Sequence, residues 1–382
     1  MLIMKFIHLS DLHLGKRVNE FPMIEDQEFI LTKIINIVDE EKPDAVIIAG
    51  DVYDKSVPPS EAVTLFDKFL FSLSKRKIET FVISGNHDSA ERIAFGSRLM
   101  DSSGVHMSPV YDKEIKPFIM EDKYGEVCVW MLPFVKPINV KRFFPEHEFS
   151  SYTDALRVAT DNLGVDTEKR NVIITHQFVT GAERSESEDI SVGGTDNVDS
   201  SVFDKFDYVA LGHIHSPQSV GRETVRYCGT PLKYSFSEAS HEKSLTIVEM
   251  NEKGSTDIRT VPLKPLHDMR EIKGTFEEIT DKTNYESAER NDYMHITLTD
   301  ENDIPDATAK LRIIYPNLMK LDYDNKRTRS QAHISGAENV KEKNPLELFA
   351  EFFERQNSQP MSEEQSGFVR SLIEKIWEED EI

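Results

Sequence analysis

The chain has 382 residues, 38% of them hydrophobic and 30% charged, which is long enough for more than one core and excludes wholesale disorder, a collagen-like fibre and a disulfide scaffold. Its 45 basic and 68 acidic residues leave a net charge of −23. That balance repels a polyanion at long range, so a phosphate-bearing substrate has to be held by something local.

No run reaches the ~18 apolar residues of a membrane span, and Lys5 and His8 break the N-terminal run where a signal peptide would stay apolar. Cys128 and Cys228 lie in apolar, strand-like runs and are expected to be small buried side chains in a reducing compartment. The expected location is the cytoplasm, with no membrane contact.

Taken in chain order, short aliphatic and β-branched runs alternate with helical patterns. The strand Ile3 to Leu9 leads into Asp11-Leu12-His13, and Ile24, Phe29, Ile30, Ile34, Ile37 and Val38 then recur at helical spacing. Ala45 to Ala49 leads into Gly50-Asp51-Val52-Tyr53-Asp54, followed by a helix through Ala62, Leu65, Phe66, Phe69, Leu70 and Leu73 that Ser60 is placed to cap. Thr80 to Ile83 ends at Gly85-Asn86-His87-Asp88. Val127 to Leu132 and Asn171 to Thr175 follow, the latter ending at His176, and Glu183 to Ser201 reads as a long polar loop bordering an active site. Tyr208 to Leu211 ends at Gly212-His213-Ile214-His215, and Leu245 to Met250 closes the series. The pattern predicts an α/β fold of sheets covered by helices on their outer faces.

The character changes near Pro262 to Pro265. Residues 266–325 read as a small mixed α/β domain, with strands at Tyr293 to Leu298 and Leu318 to Tyr323 and a helix at Ala307 to Ile314 between them. A basic, polar linker occupies 326–344, and 345–382 carries two amphipathic helices, the second opened by a Ser362/Gln365 capping box. Two short helices cannot form a core of their own, so they dock either on the rest of the chain or on a partner. Trp377, Phe349, Phe352 and Phe353 are the candidate anchors.

Five motifs thus fall at the C-terminal ends of strands, where open α/β sheets place ligands. Together Asp11, His13, Asp51, Asn86, His176, His213 and His215 offer carboxylate, amide and imidazole donors without a thiolate, a set suited to manganese, iron or zinc in an open site. The glycines beside Asp51, Asn86 and His213 permit sharp turns into a shared cleft. His8, His106, His147, His241, His267, His295 and His333 match no motif and are expected to be structural or solvent-facing.

D-x-H, G-D-x-x-D, G-N-H-D, a lone His and G-H-x-H in this order resemble the calcineurin-like metallophosphoesterase superfamily. His8 to Gly15, Gly50 to Asp54 with Pro58-Pro59-Ser60, Gly85 to Arg92, Leu211 to Pro217 and Tyr227 to Pro231 are similar to the SbcD family of bacterial nuclease subunits, through about residue 250. The resemblance implies a metallophosphoesterase β-sandwich flanked by helices over 1–265, a capping domain at 266–325 and a helical partner-binding segment at 345–382. It implies two divalent metal ions, with Mn2+ the expected metal. One is held by Asp11, His13 and His215, the other by Asn86, His176 and His213, and Asp51 bridges both. It also implies a His87 that faces the phosphate, to stabilise the transition state or protonate the leaving oxygen, with Asp88 orienting its ring. The residues themselves leave Asp88 a second role as cap of a helix starting near Ala90. Asp54 is expected to contact His13 or the Gly85 turn.

The implied partners are DNA, cut at ends and hairpins, the coiled-coil ATPase SbcC, and a second copy of the chain. Because duplex affinity comes largely from lysine and arginine, Lys16, Arg17, Arg92, Arg98, Lys136, Lys141, Arg142 and Arg184 are the local candidates, with SbcC supplying the remainder. A stand-alone metallophosphatase acting on a small or protein phosphoester is the alternative, since the same donors could serve it. The unit beyond Glu271 and the amphipathic tail argue against it.

Overall fold

The computed structural model describes residues 3–185, 187–188, 196–286, 289–326, 328, 344–357 and 360–379. The strands of the first half are β1 (Met4–Leu9), β2 (Arg17–Val18), β3 (Phe21–Pro22), β4 (Ala45–Ala49), β5 (Glu79–Ile83), β6 (Val105–Met107), β7 (Phe118–Asp122) and β8 (Gly125–Leu132). The second half adds β9 (Arg170–His176), β10 (Tyr208–Gly212), β11 (Gln218–Val220), β12 (Arg222–Tyr227), β13 (Ser244–Met250), β14 (Thr256–Pro262), β15 (Met269–Gly274), β16 (Tyr293–Leu298) and β17 (Leu318–Tyr323).

Two six-stranded sheets, ordered β14-β13-β1-β4-β5-β6 and β11-β12-β10-β9-β8-β7, pack face to face. Parallel pairing runs through β1, β4, β5 and β6 in one and β12, β10, β9 and β8 in the other; antiparallel strands close both edges of the second sheet and the β14 edge of the first, whose other edge is the parallel β6. Phe6, Ile47, Phe81, Val129, Val172, Ile174 and Tyr208 fill the space between the sheets without solvent contact. The opposite side chains of the same strands, such as Ile7, Val46, Ile48 and Val82, meet helix α1 (Ile24–Glu41) and helix α2 (Ser60–Lys75). Strands buried on both faces need unbroken apolar sequence, and Ala45 to Ala49 supplies it. At the edge of the sandwich, Arg170 reaches back from β9 to Asp122, which also accepts the Met4 N–H.

Ser60 does not cap α2. It is the first helical residue, Pro59 occupies the cap in extended geometry, and no side chain caps the end. A proline there costs nothing, because the amide it lacks would have had no partner inside the helix.

Residues 269–323 form a separate parallel sheet, β15-β16-β17, around Met294, Ile296, Leu298, Leu311 and Leu318. The helix Ala307–Ile314 joins β16 to β17 as its periodicity predicts. This unit packs Met269 and Tyr293 into the core beneath α1 and pairs Asp268 with Lys233, and one buried carboxylate of α1 is bonded to its edge. Asp26 accepts the His267 N–H (3.0 Å) and the Tyr293 hydroxyl (2.6 Å), with His267 Nδ1 at 3.2 Å.

The linker expected at 326–344 lies almost wholly outside the described residues. Beyond it, helices Pro345–Asn357 and Glu363–Glu379 are present, and Ser362 and Gln365 form the reciprocal capping pair. Phe352 (59%) and Phe368 (64%) stand exposed, and the Trp377 side chain lies outside the described residues. Among the described residues no helix is long and apolar enough to cross a membrane.

Candidate metal centre

The seven expected donors come from the turns after β1, β4 and β5 of one sheet and, in the other, from the last residue of β9 and the turn after β10. These turns are laced together by main-chain bonds: Asp11 N–H to the Gly50 carbonyl (3.0 Å), His13 N–H to that of Asp51 (3.0 Å) and Leu14 N–H to that of Val52 (2.9 Å). Asp11 reaches across to the other sheet and accepts the His213 N–H at 3.0 Å.

The sharp turning is done by the donors themselves. Asp11 (φ 53°), His13 (44°), Asp51 (48°) and His213 (100°) all adopt left-handed backbone, which is costly for residues with a Cβ and characteristic of functional sites. The neighbouring glycines make room as much as they turn. A Cβ on Gly85 would lie 2.1 Å from Asp51 Oδ1, and one on Gly212 would lie 1.9 Å from the Ala49 carbonyl oxygen.

Donor atoms of Asp11, His13 and His215 lie within 4.8 Å of one another, and so do those of Asp11, Asp51 and His176. Asn86 Oδ1 lies 3.0 Å from His176 Nε2 and 2.9 Å from His213 Nδ1. One oxygen, Asp51 Oδ2, faces both sets, 3.7 Å from His13 Nε2 and 3.3 Å from His176 Nε2.

The chemistry of these contacts fits a cation. His176 Nδ1 is engaged by the Ala49 carbonyl at 2.8 Å, so it carries a proton. Its Nε2 then faces two acceptor oxygens, those of Asn86 and Asp51, and something positive, a proton or a metal ion, has to lie among them. His13 Nε2 and His215 Nε2 likewise confront each other at 3.2 Å.

Electrostatics agree. Burial pushes the His13 and His213 rings well below their usual pKa, leaving them neutral with lone pairs available. Burial opposes a charge on Asp51 too, yet the imidazoles of His176, His87 and His13 outweigh it and hold the carboxyl well below the usual range. For His176 burial is likewise outweighed, chiefly by Asp51, and its pKa rises to about 9.

His87 stands at the cleft, with Nδ1 3.2 Å from the Asp54 carbonyl and Nε2 3.9 Å from Asp51 Oδ2. Its donor atom also clusters with those of His13 and Asp51, so distance alone does not separate a ligand from an acid–base group at this position.

Asp88 does not cap the helix that starts at Ala90. Ser89 caps the helix at Ala90, and the Asp88 oxygens accept the N–H groups of Val52 (3.1 Å), Tyr53 (2.9 Å) and Gly85 (2.9 Å). It ties the Asp51 turn to the Asn86 turn. Burial and the charge of Asp51 raise the Asp88 carboxyl to about 6. Asp54 meets His13 Nδ1 at 3.8 Å and takes an ion pair from Lys16 at 2.7 Å. Lys16 is therefore engaged, as is Arg184, which pairs with Asp196 at 2.7 Å and covers the Phe178 ring.

Several residues outside the motifs complete the centre. Gln27 on α1 accepts the Gly15 N–H (3.0 Å) and donates to the His13 carbonyl (2.7 Å), while the Tyr234 hydroxyl donates to that of Leu12 (2.6 Å). Ser187, Glu188, Glu238 and Lys243 surround His215. Only the first two had a sequence signal, their place in the polar loop after Glu183.

The calcineurin-like phosphoesterase family matches residues 4–217. A family described as the Type 5 capsule protein repressor C-terminal domain matches residues 265–357. The chain is 31% identical over 380 residues to the SbcD component of the SbcCD nuclease of Staphylococcus epidermidis, covering 98% of this chain and 99% of that protein. It is equally 31% identical, over the same shares, to the SbcD component of the SbcCD nuclease of Staphylococcus saprophyticus subsp. saprophyticus.

Proposed function

Because this chain belongs to the calcineurin-like phosphoesterases and, within them, to the SbcD family of SbcCD nuclease components, we propose that the donors gathered around Asp51 are its phosphodiester-cleaving centre, working on DNA ends and hairpins. The chain is a metal-dependent nuclease subunit and a hydrolase of phosphodiester bonds. The observation that carries the site assignment is the single oxygen Asp51 Oδ2, which faces ring nitrogens of both donor sets.

Asp11, His13 and His215 would hold one divalent ion, Asn86, His176 and His213 the other, and Asp51 would be shared. Of the manganese, iron and zinc that such oxygen and imidazole donors suit, manganese is the metal implied by the family resemblance. Bound divalent ions supply Lewis acidity, drawing charge from the phosphoryl oxygens and lowering the pKa of water. With Nδ1 against the Asp54 carbonyl, His87 turns Nε2 toward the scissile group and gives the leaving oxygen its proton. Asp88 is a positioning residue, fixing the turn that carries Asn86 and His87. The dications offset the acidic chain locally, which allows a phosphate to approach.

Membership of a nuclease named for two components supports assembly with SbcC. The two C-terminal helices are its docking segment, an amphipathic pair with Phe349, Phe352, Phe368 and Leu372 exposed. Exposed Phe95 and Leu99, in the segment just after the His87 turn, support pairing of two copies.

A manganese-dependent digestion comparing hairpin DNA, linear duplex and a small phosphodiester tests the activity. Cleavage of DNA is expected, and cleavage of the small ester alone would favour a stand-alone phosphatase. A chain ending at residue 344 should lose SbcC binding and keep its melting temperature. Retained binding with a large loss of stability would refute the docking role.

A further inference from the structure

His215 is gripped by residues that no motif contains. Its backbone N–H donates to Glu188 Oε1 at 2.6 Å, its carbonyl accepts from Lys243 Nζ at 2.8 Å, and its ring Nδ1 lies 2.6 Å from Ser187 Oγ. Ser187 in turn donates its hydroxyl to Glu238 Oε1. Glu238 is fully buried, and its other oxygen is ion-paired with Lys243 at 2.5 Å. Lys243 also donates to the Thr230 hydroxyl at 2.7 Å.

Ser187 Oγ also lies 2.8 Å from Ser185 Oγ, a hydroxyl that can donate to it, so the carboxylate decides where the Ser187 hydrogen goes. A serine hydroxyl carries a single hydrogen, and next to a buried carboxylate the charge-assisted bond claims it. Ser187 Oγ therefore meets His215 as an acceptor, and the imidazole proton sits on Nδ1. Nε2 is left with its lone pair on the side facing His13 Nε2. The Ala49 carbonyl does the same for His176 from the main chain, but His215 has no carbonyl in that place and uses a side-chain relay.

We propose that Glu238 and Ser187 are positioning residues that set the tautomer and orientation of His215 for metal binding, with Glu188 and Lys243 holding its backbone. The inference rests on His215 being a metal ligand, as proposed above. It also gives the polar loop after Glu183 a definite task, since Ser187 and Glu188 are the two loop residues in contact with His215 among those described.

The test uses the full chain in three variants, Ser187→Ala, Ser187→Thr and His215→Ala, with Mn2+ titrated calorimetrically and thermal unfolding followed in parallel. Loss of an outer hydrogen-bond partner typically weakens metal binding by 10–100-fold. Ser187→Ala should therefore weaken one of two sites by about that factor at an unchanged melting temperature, Ser187→Thr should restore it, and His215→Ala should abolish the same site. If His215→Ala removes a site that Ser187→Ala leaves at full affinity, or if Ser187→Thr fails to rescue, the relay is wrong. If His215→Ala itself keeps both sites, the ligand assignment beneath it fails, and the relay falls with it.

Discussion

Replacing Gly85 by alanine adds one methyl group where the turns after β4 and β5 crowd together. That Cβ would lie 2.1 Å from Asp51 Oδ1, 2.4 Å from Asp51 N and 2.7 Å from Asp51 Cγ, whereas ordinary contact begins at 3.4 Å. The carboxylate and the turn must therefore part by about 1.3 Å. Neither side yields easily, because Asp88 holds the Gly85 N–H at 2.9 Å and the His87 N–H holds Asp51 Oδ1 at 2.9 Å. Overpacking of this kind costs about 1–3 kcal/mol of stability. Moving a catalytic group by ~1 Å costs on the order of 10²-fold in rate. Gly85→Ala should thus lower DNA hydrolysis about 100-fold and weaken Mn2+ binding while the protein still folds. Gly164→Ala is the control. It has a left-handed φ of 67° and nothing within 4 Å, so it should cost about 1–2 kcal/mol and leave metal affinity alone. Calorimetric titration, hairpin cleavage and thermal melts on both variants decide the matter, and a Gly85→Ala enzyme with wild-type affinity and rate would remove Asp51 from the centre of the site.

Asp51→Asn should nearly abolish hydrolysis and lower metal content, since the shared oxygen loses its charge, and two bound Mn2+ per chain with normal activity would contradict this. His87→Gln should keep both metals and lose about 10²–10⁴-fold in turnover, whereas stoichiometric loss of a metal would make His87 a ligand. Asp122→Ala should cost about 3–5 kcal/mol, because it strands the buried Arg170 guanidinium, as read by denaturant titration. Burial would raise the Asp122 carboxyl, but hydrogen bonds from Arg170 and from the Tyr124 and Met4 N–H groups hold it below the usual range. Its contribution is therefore complete above the unfolded value of ~3.9 and fades as pH falls through the lower folded one. The gap in melting temperature between wild type and variant should narrow only under strong acid.

What the sequence discloses follows from how locally each feature is encoded. β4, β10 and the Val172–Ile174 centre of β9 are legible because both faces are buried and the residues there are apolar throughout or nearly so. β15, Met-Arg-Glu-Ile-Lys-Gly, escapes because its exposed positions carry charge and its buried ones are few. β11 and β12 escape for a similar reason at a sheet edge. The seven donors announce themselves through short motifs, while the grip on His215 spans 27 to 28 residues of chain on each of three contacts. No spacing rule connects serine, glutamate and lysine over such distances. The glycines of the motifs point correctly to tight turns, yet the left-handed conformations at Asp11, His13 and His213 belong to the donors themselves, which composition cannot reveal.

Asp26 and Gln27 are consecutive residues of α1, one bonded to the small parallel-sheet unit through His267 and Tyr293, the other to the His13 carbonyl. Their Cα atoms are ~3.8 Å apart on a rigid rod. Mechanically, α1 is a lever whose load and output share one pivot. A push on the outer unit that preserves the Asp26 bonds is transmitted, with almost no length over which to dissipate, to the turn that presents His13. A push taken up by the unit's other contacts, the Lys233–Asp268 ion pair and the packing of Phe236 against His295, bypasses this turn.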